Sequence, residues 1–272
     1  MIDPLSQWIS RSSGLHGPVM LMYHAITPGR EVPAWPWAVS AARFDAQLDA
    51  LLSAGWHTVT QSEMLAGGPA LQPRSVAITF DDGYADNLYA MESLRSRGMR
   101  GTWFIASGSI GRTPQWTEEG QPRGRMLDTG ELRAMQQMGI EIGAHSVSHR
   151  RLTLLNADEL RSEVSDSRSV LEDLLGQSVS SFAYPYGEYD ERCTEAVRSA
   201  GYSSACTTRT GWAMRDGNPY TLRRLTVFNT DTASTLIRKV SLGSHEIASS
   251  ILLKQIGRNL AARVSARHGK AE

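Results

Sequence analysis

The chain has 272 residues, 41% hydrophobic and 21% charged, enough for one large globular domain or two small ones. Its 28 basic and 28 acidic side chains cancel. This argues against a protein that coats nucleic acid, which needs a basic excess to displace counterions, and against an acidic disordered tail.

In chain order, MIDPLSQWISRSSG lacks the basic start, apolar run and small-residue cleavage site of a secretory signal, and no stretch approaches the ~18 apolar residues of a membrane span. A cytoplasmic location is the expectation. Val19–Tyr23 is a continuous apolar run, the mark of a strand buried on both faces. Ser40 caps a helix with Phe44, Leu48, Leu51 and Leu52 at helical spacing, closed by Gly55. Ser75–Phe80 is the next strand, Tyr84–Arg97 a helix stopped by Gly98, and Thr102–Ala106 a strand that holds Trp103. Asp128 or Thr129 caps a helix over Glu131–Met138, and Glu141–His145 is a strand. Asn156 opens a long helix to Leu175, with Glu159 placed for a capping box. Ser181–Tyr184, Asp190–Ala200 and Tyr202–Thr207 read as strand, helix and strand, and Leu222–Phe228 as the last strand. Repeated units of this kind predict an α/β fold, a parallel sheet covered by helices that is either a closed barrel or doubly wound. One domain over residues 18–230 is expected, after an N-terminal segment (1–17) and before a C-terminal helical extension (231–272). Cys193 and Cys206 form no CxxC pair and are expected as free thiols in or near the core.

Chemistry-bearing residues fall at strand ends. Thr79-Phe80-Asp81-Asp82-Gly83 directly follows a strand. Two adjacent carboxylates are costly to bury unpaired, and the plain alternative is an Asp-Gly turn. His145-Ser146-Val147-Ser148-His149 places two histidines four apart, able to converge on one metal from a helix face or a tight turn. Together, one Asp and two His form a ligand set with open positions, suited to a divalent metal that activates water, and a second Asp is left to act as general base. In Phe182-Ala183-Tyr184-Pro185-Tyr186-Gly187, Pro185 stiffens the chain and Gly187 permits a sharp bend. Such a turn can present a backbone N–H to an oxyanion; an ordinary turn is the alternative.

TFDDG, HSVSH and YPYG, in this order, resemble the first three motifs of the NodB-type polysaccharide deacetylases (carbohydrate esterase family 4), and the resemblance spans roughly Pro18 to Phe228. The opening PVMLMYHAI is similar to the start of bacterial exopolysaccharide and adhesin deacetylases of that family. The resemblance implies a distorted (β/α)7-type barrel with its site at the C-terminal ends of the strands. It also implies Asp81 as general base, and Asp82, His145 and His149 as metal ligands. The metal is expected to be Zn2+, with Co2+ or Ni2+ accepted by the same geometry. Tyr186 is implied as a backbone N–H donor to the oxyanion. The reaction implied is metal-dependent removal of N-acetyl groups from N-acetylhexosamine residues of a bacterial glycan, an exopolysaccharide or adhesin, whether polymer or lipid-linked.

The sequence departs from the family pattern twice. Many members carry an arginine in the third motif to orient the base, but here that stretch is Ala183-Tyr184. Arg223 or Arg224 is the substitute, and Arg224 is favoured. Leu225 and Val227 alternate with Arg224 and Thr226, so Arg224 points into the barrel if the Leu225 face meets the helices. A solvent-facing arginine is the alternative. The late motif that supplies a histidine acid is not evident either: Ser244-His245-Glu246 reads as a helix cap. His24, at the end of the first strand, is the expected acid, with support of the metal site or of Asp81 as its other reading. From these departures follow two alternative functions, an O-acetyl esterase and a catalytically weak glycan-binding homologue.

Trp35, Trp37, Trp116 and Trp212 lie in loops, to stack on sugar faces or to anchor those loops. From His245 onward, Ile247, Ile251, Ile256, Leu260 and Val264 mark an apolar stripe beside Lys254, Arg258, Arg263 and Arg267. The two readings are a helix packed on the barrel and an interfacial helix at the inner face of the membrane.

Overall fold

The computed structural model describes residues 2–14, 17–114, 116 and 120–245. Helix α1 (Pro4–Ser12) leads into strand β1 (Val19–Tyr23), and two short strands, β2 (Ala25–Thr27) and β3 (Ala38–Ser40), pair with each other before α2 (Ala41–Ser53). Then follow β4 (His57–Val59), α3 (Gln61–Gly67), β5 (Ser75–Phe80), α4 (Asn87–Ser96), β6 (Thr102–Ile105), α5 (Thr129–Gln137), β7 (Glu141–Ala144), α6 (Ala157–Leu175), β8 (Ser181–Ala183), α7 (Glu191–Ser199), β9 (Ser204–Cys206), β10 (Leu225–Thr226) and α8 (Ala233–Leu242).

The main sheet is parallel throughout, in the order β10-β1-β5-β6-β7-β8-β9, with β4 beside the start of β5. Leu222 bridges Cys206, and three residues later Leu225 pairs with Leu21. Residues 222–226 therefore pass from one edge of the sheet to the other and curl it into a distorted α/β barrel, the architecture expected from the sequence. The crossing also explains why the expected strand Leu222–Phe228 is reduced to β10 and one bridge. Helix α4 starts later than expected because Tyr84 bridges Met126 and packs into a cluster with Trp35. Among the described residues no helix is long and apolar enough to cross a membrane. The basic segment from Glu246 onward, with its membrane reading, lies outside them.

Strand alternation splits the core in two. Val19, Leu21, Tyr23, Val76, Ile78, Phe80, Trp103, Ile105, Ile142 and Phe182 face the helices. Phe80 stacks on Trp103 at 4.2 Å. The opposite parity, Met20, Ala77, Phe104, Ala183 and Cys206, fills the barrel interior with Met64 of α3. A Cβ on Gly143 would come 2.7 Å from the Phe104 ring and 2.8 Å from the Ser181 carbonyl. Glycine there is the condition for Phe104 to occupy the interior, where its burial contributes roughly 2–3 kcal/mol. Both cysteines are buried free thiols. Burial pushes Cys193 up to about 11 and Cys206 up to about 12, so both stay protonated.

The N-terminal end of the barrel is closed by polar bonds. Glu141 accepts from the Ser62 amide (3.2 Å), the Thr102 hydroxyl (2.8 Å) and the Ser181 hydroxyl (2.6 Å). Gln61 donates to Ser204 at 2.9 Å. These bonds pin α3 across that end and leave the opposite mouth for the site.

Candidate active site

The C-terminal strand ends deliver side chains to one cavity of about 420 Å³. Met22 lies in β1 and His24 directly after it, Asp81 and Asp82 follow β5, His145 and His149 follow β7, Tyr186 and Thr208 lie beyond β8 and β9, and Thr226 ends β10.

Asp82, His145 and His149 converge. Asp82 Oδ1 is 3.4 Å from His145 Nε2 and 3.3 Å from His149 Nε2, and one ligand atom from each of the three lies within 4.8 Å of the others. All three residues are buried, and among the described residues Asp82 Oδ1 has no hydrogen-bond partner. A bare buried carboxylate oxygen facing two imidazole nitrogens, with room in front of it, fits a divalent cation: the donors are of the right type and leave open positions. Burial raises the Asp82 carboxyl, but the His149 and His145 imidazoles outweigh it and hold the group well below the usual range. The second ring nitrogen of His145 lies 2.8 Å from the Ala183 carbonyl, which directs Nε2 at Asp82. His149 is oriented by stacking instead, with Trp116 at 4.3 Å on one side and Tyr186 at 4.6 Å on another.

The backbone is strained where it carries these groups. Asp82, Ser146, His149 and Tyr186 have φ of 72°, 61°, 59° and 58°, a region uncommon for residues with a Cβ. Next to Tyr186, a Cβ on Gly187 would come 2.1 Å from the Thr208 hydroxyl, so glycine is required for that turn.

Asp81 is held differently from its neighbour. Arg224, fully buried, grips both carboxylate oxygens at 2.6 and 2.7 Å. Two further donors reach the Thr207 carbonyl (2.9 Å) and the Thr79 hydroxyl (3.2 Å). Leu225 and Val227 lie on the helix side, which leaves Arg224 to point inward. Burial raises the Asp81 carboxyl; the Arg224 charge outweighs it, and the group ends below its ordinary value. Arg223 instead pairs with Asp216.

His24 lines the cavity edge-on to Trp35, and its buried Nδ1 has no hydrogen-bond partner among the described residues. Burial drives its imidazole down against the pull of Asp82 and Asp81. His245 is not among the cavity residues; its Nδ1 lies 3.1 Å from the Thr210 hydroxyl.

The tryptophans divide. Trp35 is 4% exposed and anchors a cluster of Ala25, Ala38, Tyr84 and Met126. Trp37 and Trp116 pack against it, half-buried, and line the cavity. Trp212 is not among the lining residues; it packs where a Cβ on Gly243 would meet its ring at 2.5 Å. Two rim charges had no signal in the sequence beyond adjacency to the motifs: Arg151 lies over the Tyr186 ring at 4.1 Å and pairs with Glu188.

An Asp-His-His cluster beside a guanidinium-bound carboxylate, at the mouth of an α/β barrel, is the site of a hydrolase. The chain belongs to the polysaccharide deacetylase family, the NodB-type carbohydrate esterase family 4: the family profile matches residues 69–205. The Bacillus subtilis protein YxkH is 33% identical over 229 residues, 83% of this chain and 76% of that protein. A peptidoglycan-N-acetylglucosamine deacetylase of Bacillus cereus is 24% identical over 61% of this chain and 56% of its own length. The solved structure of IcaB from Ammonifex degensii superposes with a TM-score of 0.71 at 26% identity, over 85% of this chain and 98% of that one.

Proposed function

We propose that this protein removes N-acetyl groups from N-acetylhexosamine residues of a bacterial glycan, an exopolysaccharide or adhesin in polymer or lipid-linked form. The divalent ion, Zn2+ in the first place, would be held by Asp82, His145 and His149. The cytoplasmic location and the contact of the C-terminal basic segment with the inner face of the membrane belong to the same reading. One observation carries the proposal. Two adjacent carboxylates of a single turn have opposite surroundings, Asp82 with a bare oxygen facing two imidazoles and Asp81 with both oxygens bound by Arg224. Environments that divide the work of two acids in this way mark ligand and base. The Bacillus cereus relative, named for N-acetylglucosamine, supports the choice of sugar.

When bound, the cation supplies Lewis acidity to an acyl carbonyl and acidifies water. The protein's own groups do the rest. Asp81, kept ionised by Arg224, has lone pairs left beyond the two guanidinium bonds and takes the proton of the attacking water. The Tyr186 turn presents its backbone N–H to the developing oxyanion. His24 gives a proton to the departing amine, which leaves as a free amino sugar with release of acetate. Trp37 and Trp116 offer flat apolar faces to the sugar ring.

Acetate release tests this. The metal-loaded enzyme is expected to deacetylate chito-oligosaccharides and to turn over O-acetyl esters less efficiently. Acetate from the esters alone makes the protein an O-acetyl esterase, the alternative that follows from the missing late-motif histidine, since an alcohol leaving group needs less protonation than an amine. Affinity for glycan with no acetate at any metal loading overturns the enzymatic reading.

A further inference from the structure

The loop that carries two of the three ligand side chains makes one bond within itself, from the His149 amide to the Ser146 hydroxyl at 3.1 Å, and takes its other bonds from outside. Ser146 and His149 lie at φ 61° and 59°, which costs a residue with a side chain on the order of 1–2 kcal/mol. The loop must also satisfy the amides that turn away from the site. The Ser107 and Gly108 amides donate to the Ser146 and Val147 carbonyls at 3.1 and 2.8 Å, and helix α6 meets the loop's own amides. Glu163, 8% exposed, has no ion-pair partner among the described residues. Its Oε2 accepts the amides of Val147 (3.0 Å) and Ser148 (2.9 Å), and its Oε1 accepts the Ser148 hydroxyl. One turn further, the Ser167 hydroxyl donates to the Ser146 carbonyl at 3.0 Å. All these bonds fall on the three residues between His145 and His149. Bonds to a carboxylate are roughly twice as strong as neutral ones.

We propose that Glu163 is a positioning residue of the metal site. It locks residues 146–148 so that the Nε2 atoms of His145 and His149 already face Asp82 before a cation arrives, and so sets the affinity for metal. The inference rests on the reading that the triad binds a divalent ion.

Co2+ binding to the metal-free protein tests it, by calorimetry and by the visible absorption of the bound ion, on variants shown by thermal melting to be folded. In Glu163→Gln the amide oxygen still accepts both backbone N–H groups, and its NH2 donates to the Ser148 hydroxyl. Affinity within about 3-fold of wild type and an unchanged spectrum are expected. Glu163→Ala is expected to bind about 10–100-fold more weakly, the usual effect of losing an outer partner of a ligand, with an altered spectrum. Glu163→Asp, which keeps the charge but is one methylene too short to make all three bonds, covers the case in which the alanine variant does not fold. It is expected to bind at least about 10-fold more weakly. Folded Ala or Asp variants that bind like wild type overturn the inference. So does an equal loss in Gln, because the effect then follows charge rather than loop geometry. A wild-type protein that binds no Co2+ overturns the metal reading itself, a result distinct from either.

Discussion

Asp81→Asn is expected to lower kcat for acetate release by about 10²–10⁴-fold, the usual weight of a general base, while one divalent ion per chain is retained. Asparagine has nearly the shape of aspartate. Its oxygen can still accept from Arg224, whose Nη1 lies 2.6 Å from Asp81 Oδ1, but its NH2 then faces a guanidinium donor and it cannot take a proton. The substitution leaves Asp82, His145 and His149 in place, since those side chains meet at Asp82 Oδ1 and not at Asp81. Turnover measured at saturating substrate, with metal content determined on the same sample, separates the two roles. Turnover within about 10-fold of wild type, with metal bound, removes Asp81 from the chemistry.

Arg224→Met is expected to cost about 3–5 kcal/mol of stability at neutral pH, the penalty for leaving one partner of a buried pair charged and alone. The pH dependence gives the sign. In wild type the Asp81 carboxyl is held below its ordinary value, so its contribution is present above about pH 4 and is lost as pH falls through the folded-state value. Without Arg224 both its charge and its hydrogen bonds are lost, and burial, the largest influence on the carboxyl, raises it against the His145 and His24 imidazoles alone. The variant then gains a proton as pH falls toward the ordinary carboxylate range, the lone charge disappears, and the stability gap to wild type narrows. The same shift carries the acidic limb of kcat/KM to higher pH, because the base is protonated over a wider range. Urea unfolding at neutral pH and near about pH 4.5 measures the gap. A gap that stays constant or widens on acidification contradicts this account of the pair.

The parts legible in the sequence are those whose chemistry is local. TFDDG and HSVSH name their strand ends through the strands in front of them, and the residues they supply meet in one cavity. The inward direction of Arg224 could be read from alternation with Leu225 and Val227, because that parity survives the short length of β10. The closure of the barrel could not be read. Leu222–Phe228 reads as one strand, and nothing in its residues shows that the chain leaves one edge of the sheet at Leu222 and joins the other by Leu225. Strands β2 and β3 have three residues each, too few for a period-2 pattern to emerge. Glu163 did leave a trace. It falls in the buried stripe of α6 with Leu160, Val164, Ser167 and Leu171, where a carboxylate is out of place unless it has partners; those partners, the backbone amides of a distant loop, have no sequence signature. The left-handed backbone of Ser146, His149 and Tyr186 is invisible for the same reason, since tertiary bonds impose it on residues that do not favour it.

The central claim is that Asp82, His145 and His149 grip a cation on which turnover depends. Elemental analysis of the purified protein, run in parallel with acetate release before chelation, after chelation and after re-addition of Zn2+, tests it most directly. The account predicts one divalent ion per chain, loss of acetate release as that ion is stripped, and recovery in proportion to the ion restored. Undiminished acetate release from a folded protein that carries no metal would contradict it.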